Sequence, residues 1–197
     1  MRTPRWTRAI APFGLTVLCI ACTQQTQDLY KIEIERSCRG CDLEGINLSG
    51  ETLGGKYRVP LSSTPLSTSP EGLNYADPAD LTGSNLKDSN LSYANLNQVL
   101  LNDADLAGAD LSDANLTATA LISANLNGAN LRNANLTDAN LTGADLTGAD
   151  LTGANLSNTT LAGATLQDAN LDGADLRRTE LIGVNLAGVN LSDALID

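Results

Sequence analysis

Leucine recurs at every fifth position from Leu81 to Leu191 without one exception, which makes 23 consecutive repeats. Two positions before each of these leucines the side chain is small or β-branched, and alanine fills 15 of the 23 places. A period of five fits neither an α-helix, which repeats about every 3.6 residues, nor a strand, which alternates. It predicts a chain that turns a corner after each pentad and stacks coil upon coil.

The pentads read small, polar, Leu, polar, and then glycine or polar, as residues 142–151 show twice in succession (TGADLTGADL). This pattern resembles the pentapeptide repeat family over at least residues 79–195. The resemblance implies an all-β fold, a right-handed quadrilateral β-helix in which one pentad forms one side. About six to seven coils are expected, with leucine and the small residue facing inward. Stacked neighbours would supply the burial that no single pentad has.

The corners of such a coil can be located in the sequence. Glycine stands two positions after the leucine in ten of the 23 pentads, which suits a corner that needs a positive φ. Since four pentads complete a coil, four asparagines should stack in one column, where their amides can hydrogen-bond from coil to coil: Asn95, Asn115, Asn135 and Asn155. We interpret such columns as structural ladders rather than as a binding site.

The N-terminus has the pattern of a targeting segment. Residues 1–21 contain three arginines and then an apolar stretch (9–21) that is too short for a membrane span of about 20 residues, so we predict a signal peptide. The run LCIAC (18–22) resembles a bacterial lipoprotein box in which Cys22 would be lipidated, although Cys19 stands where leucine is usual. Plain cleavage and an uncleaved anchor are the alternatives. Each predicts export, to the periplasmic side of a bacterial membrane or, in a photosynthetic organism, to the thylakoid lumen.

Four segments follow the signal peptide. Residues 22–40 are predicted to form a tether and an N-terminal cap, and residues 41–53 the first pentapeptide repeats. Residues 54–78 are rich in Pro, Ser and Thr, which is typical of a loop. Residues 79–197 form the main solenoid.

Cys38 and Cys41 form a CxxC pair next to the first pentads. Outside the cytoplasm such a pair can be a structural disulfide, and two buried small residues or a redox pair are the other interpretations. The two thiolates cannot complete a zinc site, because the chain contains no histidine and no suitable further cysteine. Cys41 lies two positions before Leu43 and therefore at an inward position.

The composition argues against several functions. The chain has no histidine, no phosphate-binding loop and no nucleophile elbow, so we expect no catalytic, cofactor or metal site and no enzyme. Calcium on an aspartate column is poorly supported, since Asn130 separates Asp110 from Asp150. Loss of the signal peptide takes the net charge from −11 to −14, which disfavours nucleic acid and anionic lipid as partners. Contact with a membrane is expected only through the N-terminal lipid.

One face of the predicted column is less polar than the others. Its outward positions carry apolar residues, which can form a docking face for a protein partner: Leu100, Ala120, Ile122, Ala162 and Ile182. Alternatively, the 54–78 loop covers these residues, or they are apolar substitutions without a function in a fold that tolerates them.

The C-terminal end is also apolar, at Val189, Leu195 and Ile196, and its open strand edges predict a weak end-to-end homodimer.

Three functions are compatible with these features. The leading hypothesis is a non-catalytic extracytoplasmic scaffold or protein-binding solenoid that is anchored by lipid. The resemblance implies an alternative, because the best-understood members mimic DNA and bind topoisomerases. Residues 79–197 carry a net charge of −11, against about 16 charges on a duplex of about 28 Å, but export would separate the protein from any topoisomerase. The third hypothesis is a redox protein that uses the CxxC pair.

Overall fold

The computed structural model describes residues 38–51, 53 and 79–197. Within these ranges the backbone forms neither a helix nor a strand of several residues, and successive coils are joined by single-residue parallel β-bridges. The predicted signal peptide, the tether as far as residue 37 and the predicted 54–78 loop lie outside the described residues.

The bridges form four columns, which begin in the main run at Asp80, Asn85, Asn90 and Asn95 and continue in steps of 20 residues. Because successive columns start five residues apart, each pentad forms one side of a four-sided coil. We call these sides the first to fourth faces in that order. The predicted solenoid of stacked pentads is thereby confirmed.

Backbone hydrogen bonds join each side to the next coil in a repeating set of three. On the first face the amide of Leu81 donates to the carbonyl of Leu100 at 2.7 Å, and the amide of Gly83 donates to that of Asn102 at 2.8 Å. The amide of Leu100 donates back to the carbonyl of Ala79 at 2.9 Å. These bonds satisfy backbone groups that would otherwise be costly to bury.

The interior is a stack of leucines and small residues. The inward leucines, at every fifth position from Leu81 to Leu171, are at most 1 % exposed, so each contributes roughly 1.5–3 kcal/mol by burial. Where threonine takes the small position, its hydroxyl has a partner: Thr119 donates to the carbonyl of Leu96 at 2.8 Å. The shorter side chains of Ser84 and Ser89 are also buried, and their hydroxyls have no hydrogen-bond partner in the described structure.

Each corner is a tight turn that follows the inward leucine. The amide three residues after the leucine donates to the leucine carbonyl, as Ala149 does to Leu146 at 3.0 Å. The residue two after the leucine has a positive φ in all pentads of the main run, at ten glycines and 13 other residues, which is a requirement of a type II turn. The predicted glycine corners are confirmed. The left-handed conformation of residues such as Ala118, at 53°, was not foreseen.

The first coil is joined to the main run with a different step. Asp42 pairs with Asn85 43 residues away, which exceeds the regular step of 20 by 23 residues. Leu53 pairs with the fourth face, through the carbonyl of Asn95 at 2.9 Å, so the extra residues enter at the corner between the fourth and first faces. Cys38 donates to the carbonyl of Asp80 at 2.7 Å and takes a leucine position, so this coil includes residues before the predicted boundary at 41.

The corner geometry predicts opposite effects for one chemical change at two positions. Ala118→Gly should raise the free energy of unfolding by a few tenths to about 1 kcal/mol, because an L-residue in the left-handed region costs about 1–2 kcal/mol. Ala107→Gly, one place earlier in its corner and without a positive φ, should lower it by about 0.5–1 kcal/mol. Thermal unfolding followed by circular dichroism measures both. Equal destabilisation by the two substitutions would contradict the corner assignment.

Candidate binding surfaces

The Asn and Asp side chains directly before the inward leucines are engaged in the corners of their own pentads. Asn115 is representative: its Oδ1 accepts from the Thr117 amide at 3.1 Å and from the Thr117 hydroxyl at 2.6 Å. Asp145 accepts in the same way from the Thr147 amide at 2.9 Å. Such Asx turns satisfy a backbone donor that the coil-to-coil bonds do not reach. The repeated Asn and Asp residues therefore hold the turns, which limits their availability for a ligand.

The asparagine ladder that the sequence predicted is present at its first step. Asn115 donates its amide to Oδ1 of Asn95 at 3.1 Å, while Asn135 and Asn155 accept from their own corners. Other columns contain mixed pairs, and Asn130 donates to Oδ1 of Asp110 at 2.9 Å.

The two aspartates considered for calcium are already engaged. The Asp110 carboxylate accepts from Asn130 and from the Ser112 hydroxyl at 2.7 Å, and Asp150 accepts from Thr152 and Arg132. In the part of the chain that is described, no group of three His, Cys, Asp or Glu side chains is placed to hold a metal ion.

The five residues of the predicted docking face lie on the first face, but they do not form one continuous patch. Leu100 and Ala120 bridge each other and are half-buried. Ile122 is 39 % exposed and Ile182 is 71 % exposed, and the corner of Ala162 lies one coil before that of Ile182. Two separate apolar areas result, one on the early coils and one on the late coils.

The apolar residues of the first face also change the hydrogen bonding of its corners. Ala120 stands where other pentads have Asn or Asp, so it offers no side-chain oxygen to the amide of Ile122. Asn102 of the coil before accepts from that amide instead, at 3.0 Å. Asn102 therefore replaces the hydrogen bond that the residue before the leucine makes in other corners, and it lies next to the exposed Ile122.

Tyr93 is an exposed residue that sequence reasoning did not single out. It is the one aromatic side chain in the described ranges, it is 67 % exposed, and it occupies a corner with φ of 59°. A bulky residue with a positive φ is uncommon. The available signal was a tyrosine two positions after Leu91, where glycine is the most frequent residue.

Apolar side chains are exposed at the last coil, including leucines whose counterparts in earlier coils are buried. Leu186 is 40 % exposed and Leu191 is 37 % exposed, and Leu195 and Ile196 are about half exposed, at 51 % and 54 %. Val189 is partly buried against the core. The apolar end that the sequence indicated is thus a surface of the described structure.

Two arginines lie close to that end. Arg177 pairs with Asp175 at 2.6 Å through its terminal nitrogen and at 2.9 Å through Nε. These hydrogen bonds, more than any other effect, lower the pKa of the Asp175 carboxyl from 3.8 to about 2. The amide of Arg178 donates to the Asp197 carboxylate at 2.6 Å. A cavity of about 360 Å³ lies between these groups and is lined by Ser157, Asn158, Arg177, Arg178 and Asp197.

A second aspartate is held ionised in a different way. Partial burial alone would raise the pKa of Asp150, but hydrogen bonds from Thr152 and Arg132 and the charge of Arg132 bring it below its usual value. The Arg132–Asp150 distance is 3.0 Å.

Cys38 and Cys41 are joined by a disulfide with a Cα–Cα distance of 5.3 Å. Both are buried, at 1 % and 5 % exposure, and Cys41 takes the inward small position of its pentad. The bond spans the first turn, in which the amide of Cys41 donates to the carbonyl of Cys38 at 3.2 Å.

Cys22, the predicted lipidation site, lies outside the described residues. None of the described segments is a helix that is long and apolar enough to cross a membrane.

A family model described as pentapeptide repeats matches the chain with eight copies, over residues 79–117, 114–153 and 154–193. No curated protein matches the chain.

Among solved structures, the chain is similar to the pentapeptide repeat protein Rfr23 of the cyanobacterium Cyanothece 51142. The identity is 39 %, the match covers 87 % of this chain and 99 % of that chain, and the TM-score is 0.51.

Two other solved structures have lower TM-scores. A pentapeptide repeat protein from the Arabidopsis thaliana thylakoid lumen is 29 % identical, over 70 % of this chain and 66 % of that chain, with a TM-score of 0.27. QnrB1, a plasmid-mediated fluoroquinolone resistance protein, is 21 % identical, over 82 % of this chain and 80 % of that chain, with a TM-score of 0.42. These two similarities carry no information on the function of this chain.

The Arg177–Asp175 contact predicts a pH-dependent contribution to stability. Because the folded-state pKa of Asp175 is depressed to about 2 from 3.8, the contact stabilises the fold above about pH 4 and stops doing so as the pH falls through about 2. Arg177→Ala should raise the pKa of Asp175 toward 3.8, which an NMR titration of its side-chain carboxyl carbon measures. Arg178→Ala is the matched control and should leave that pKa unchanged. Equal shifts of the Asp175 pKa in both variants would mean that nearby positive charge in general, and not the Arg177–Asp175 contact, lowers this pKa.

Proposed function

The chain belongs to the pentapeptide repeat family, and we propose that it is a non-catalytic scaffold that binds a protein partner outside the cytoplasm. In this proposal the column is a right-handed coil of about six to seven turns, and a lipid on Cys22 anchors it to a membrane. The first face of the column receives the partner.

The observation that carries the proposal is the placement of two exposed isoleucines on the first face of the column. Ile122 and Ile182 stand on the first face, at a corner column where the intervening coils carry Thr142 and Ala162. On the other faces the Asn and Asp residues directly before the leucines are engaged in their own turns, as at Asn115 and Asp145. Apolar areas rimmed by polar residues mark protein-binding surfaces, and each isoleucine belongs to one of the two apolar areas of the first face.

Two further features support the placement outside the cytoplasm. The first is the signal-like sequence of residues 1–21, with Cys22 following a lipoprotein-type box. The second is the Cys38–Cys41 disulfide, since disulfides persist mainly in oxidising compartments. Burial of both cysteines disfavours the redox-protein alternative, because the thiol of a redox catalyst must be accessible to its substrate in the folded state.

The first-face proposal predicts which substitutions abolish partner capture. Immobilised mature protein should retain a protein of the envelope fraction, and Ile122→Asp together with Ile182→Asp should reduce that retention at least tenfold, since a charge opposes burial of the contact. Asn127→Asp, at an exposed corner of the second face, is the matched control. Quantitative mass spectrometry of the eluates is the measurement.

Three results would contradict the proposal: no retained protein, equal retention by the first-face variant, or capture of a topoisomerase. The last result would support the DNA-mimic alternative instead.

The anchoring proposal predicts a change in cellular location. Cys22→Ser removes the acylated side chain and should move the protein from the membrane fraction to the soluble fraction, because the acyl chains supply the membrane affinity. Immunoblots of fractionated cells that carry wild type or variant measure this. Membrane association that is equal in both would support an uncleaved anchor, and a soluble wild type would support plain secretion.

We further propose that two copies associate weakly through the last coil. Support comes from the exposure of Leu195 and Ile196 and from unpaired strand edges of the kind that recruit a second copy. Replacing both residues by aspartate should shift the mature protein toward monomer in analytical ultracentrifugation. Wild type that sediments as a monomer at tens of micromolar would reject the dimer.

A further inference from the structure

The first coil contains a covalent bond at a place where the rest of the column has a leucine. Cys38 is 43 residues before Leu81, the same step that relates Asp42 to Asn85, and its amide bonds to the Asp80 carbonyl at 2.7 Å. Cys38 therefore stands in the leucine position of the first face. A cysteine side chain buries less apolar surface than leucine, so packing alone holds this corner less strongly.

The remainder of the coil is also less well buried than the main run. Ile46 is 8 % exposed and Leu48 is 9 % exposed, and Leu53 is only partly buried, whereas leucines in the middle of the column, such as Leu146, are fully buried. In a solenoid each coil is stabilised by its own interior and by its contact with the neighbouring coil. Residues 38–51 and 53 thus form the least buried coil of the N-terminal half of the described structure.

Three amides of the next coil depend on this coil remaining closed. Asn85 donates to the carbonyl of Cys41 at 2.7 Å, and two more asparagines donate to Ile46 and Glu51 at 2.7 and 2.8 Å: Asn90 and Asn95. If the first coil detaches, these donors and the end of the leucine stack become exposed.

We propose that the Cys38–Cys41 disulfide is a redox-sensitive latch that keeps the first coil closed over the column. A dithiol reductant donates two electrons and two protons: the S–S bond breaks, two cysteine thiols form, and the reductant closes its own disulfide. Because both sulfurs are buried, the reductant reacts during transient opening of the coil, and the reduced coil then opens more often.

The size of the effect follows from the small loop that the bond closes. For a loop of four residues, chain entropy predicts a change in the opening equilibrium on the order of 10- to 30-fold. Such a change is large for one weakly buried coil and small for the column as a whole. The latch therefore controls the exposure of one edge, and the remaining coils stay folded in both redox states.

Amide hydrogen exchange of the full chain, measured by NMR with and without a dithiol, tests the latch. Reduction should accelerate exchange at Asn85, Asn90 and Asn95 about 10- to 30-fold. The equivalent amides of Asn125 and Asn130, which donate to Ala104 and Ala109 at 2.9 Å, should not change. Unchanged exchange at the first three amides would overturn the proposal, and so would equal acceleration throughout the column.

Two variants separate the disulfide from other effects of the reductant, including effects on Cys19 and Cys22. Cys38→Ser with Cys41→Ser should show the faster exchange without reductant, and reductant should add nothing. Cys38→Leu with Cys41→Ala restores the repeat pattern and should keep exchange slow under both conditions. Fast exchange in this second variant, or a response of either variant to reductant, would contradict the latch.

Discussion

Close packing of one leucine and one small residue per side is the constraint on which the rest of this structure depends. The inward leucines are buried almost completely in every coil but the last, and the small residues before them leave room for the opposite sides of a narrow coil. A protein interior of this density tolerates neither extra volume nor unpaired polar groups. The corner geometry and the coil-to-coil bonds both follow, since only a turn after every leucine returns each side to the same axis.

The interior could be predicted from the sequence because its rule is local and is repeated in every pentad from Leu81 to Leu191. The corners could be predicted only in part. Glycine indicated where φ is positive, but Ala118, Tyr93 and the other non-glycine corners adopt the same conformation, because the stacked coils impose it whatever the local preference. The sequence indicated an interruption of the repeats between residues 53 and 79, but it did not indicate the register in which the first coil pairs with the next, a step of 43 residues.

The candidate surfaces, like the corners, could be predicted from the sequence only in part. A sequence pattern identifies which residues point outward, so Leu100, Ile122 and Ile182 could be named in advance. Pattern alone does not reveal which outward groups are already satisfied. Asn102 caps a corner one coil later, Arg177 lowers the pKa of Asp175, and the exposed Tyr93 stands apart from the apolar face. The Asn102 contact reaches across coils and the Arg177–Asp175 contact is local, and the five-residue pattern specifies neither.

The central claim is that the inward leucines hold the column together, and Leu146→Asp tests it most directly. Leu146 is fully buried in the middle of the stack, so a carboxylate there would have no partner and should cost several kcal/mol. Thermal unfolding followed by circular dichroism should show a midpoint well below that of wild type or no cooperative transition, while Asn127→Asp at an exposed corner should match wild type. An unchanged midpoint for Leu146→Asp would contradict the inward orientation of the leucines and the account that depends on it.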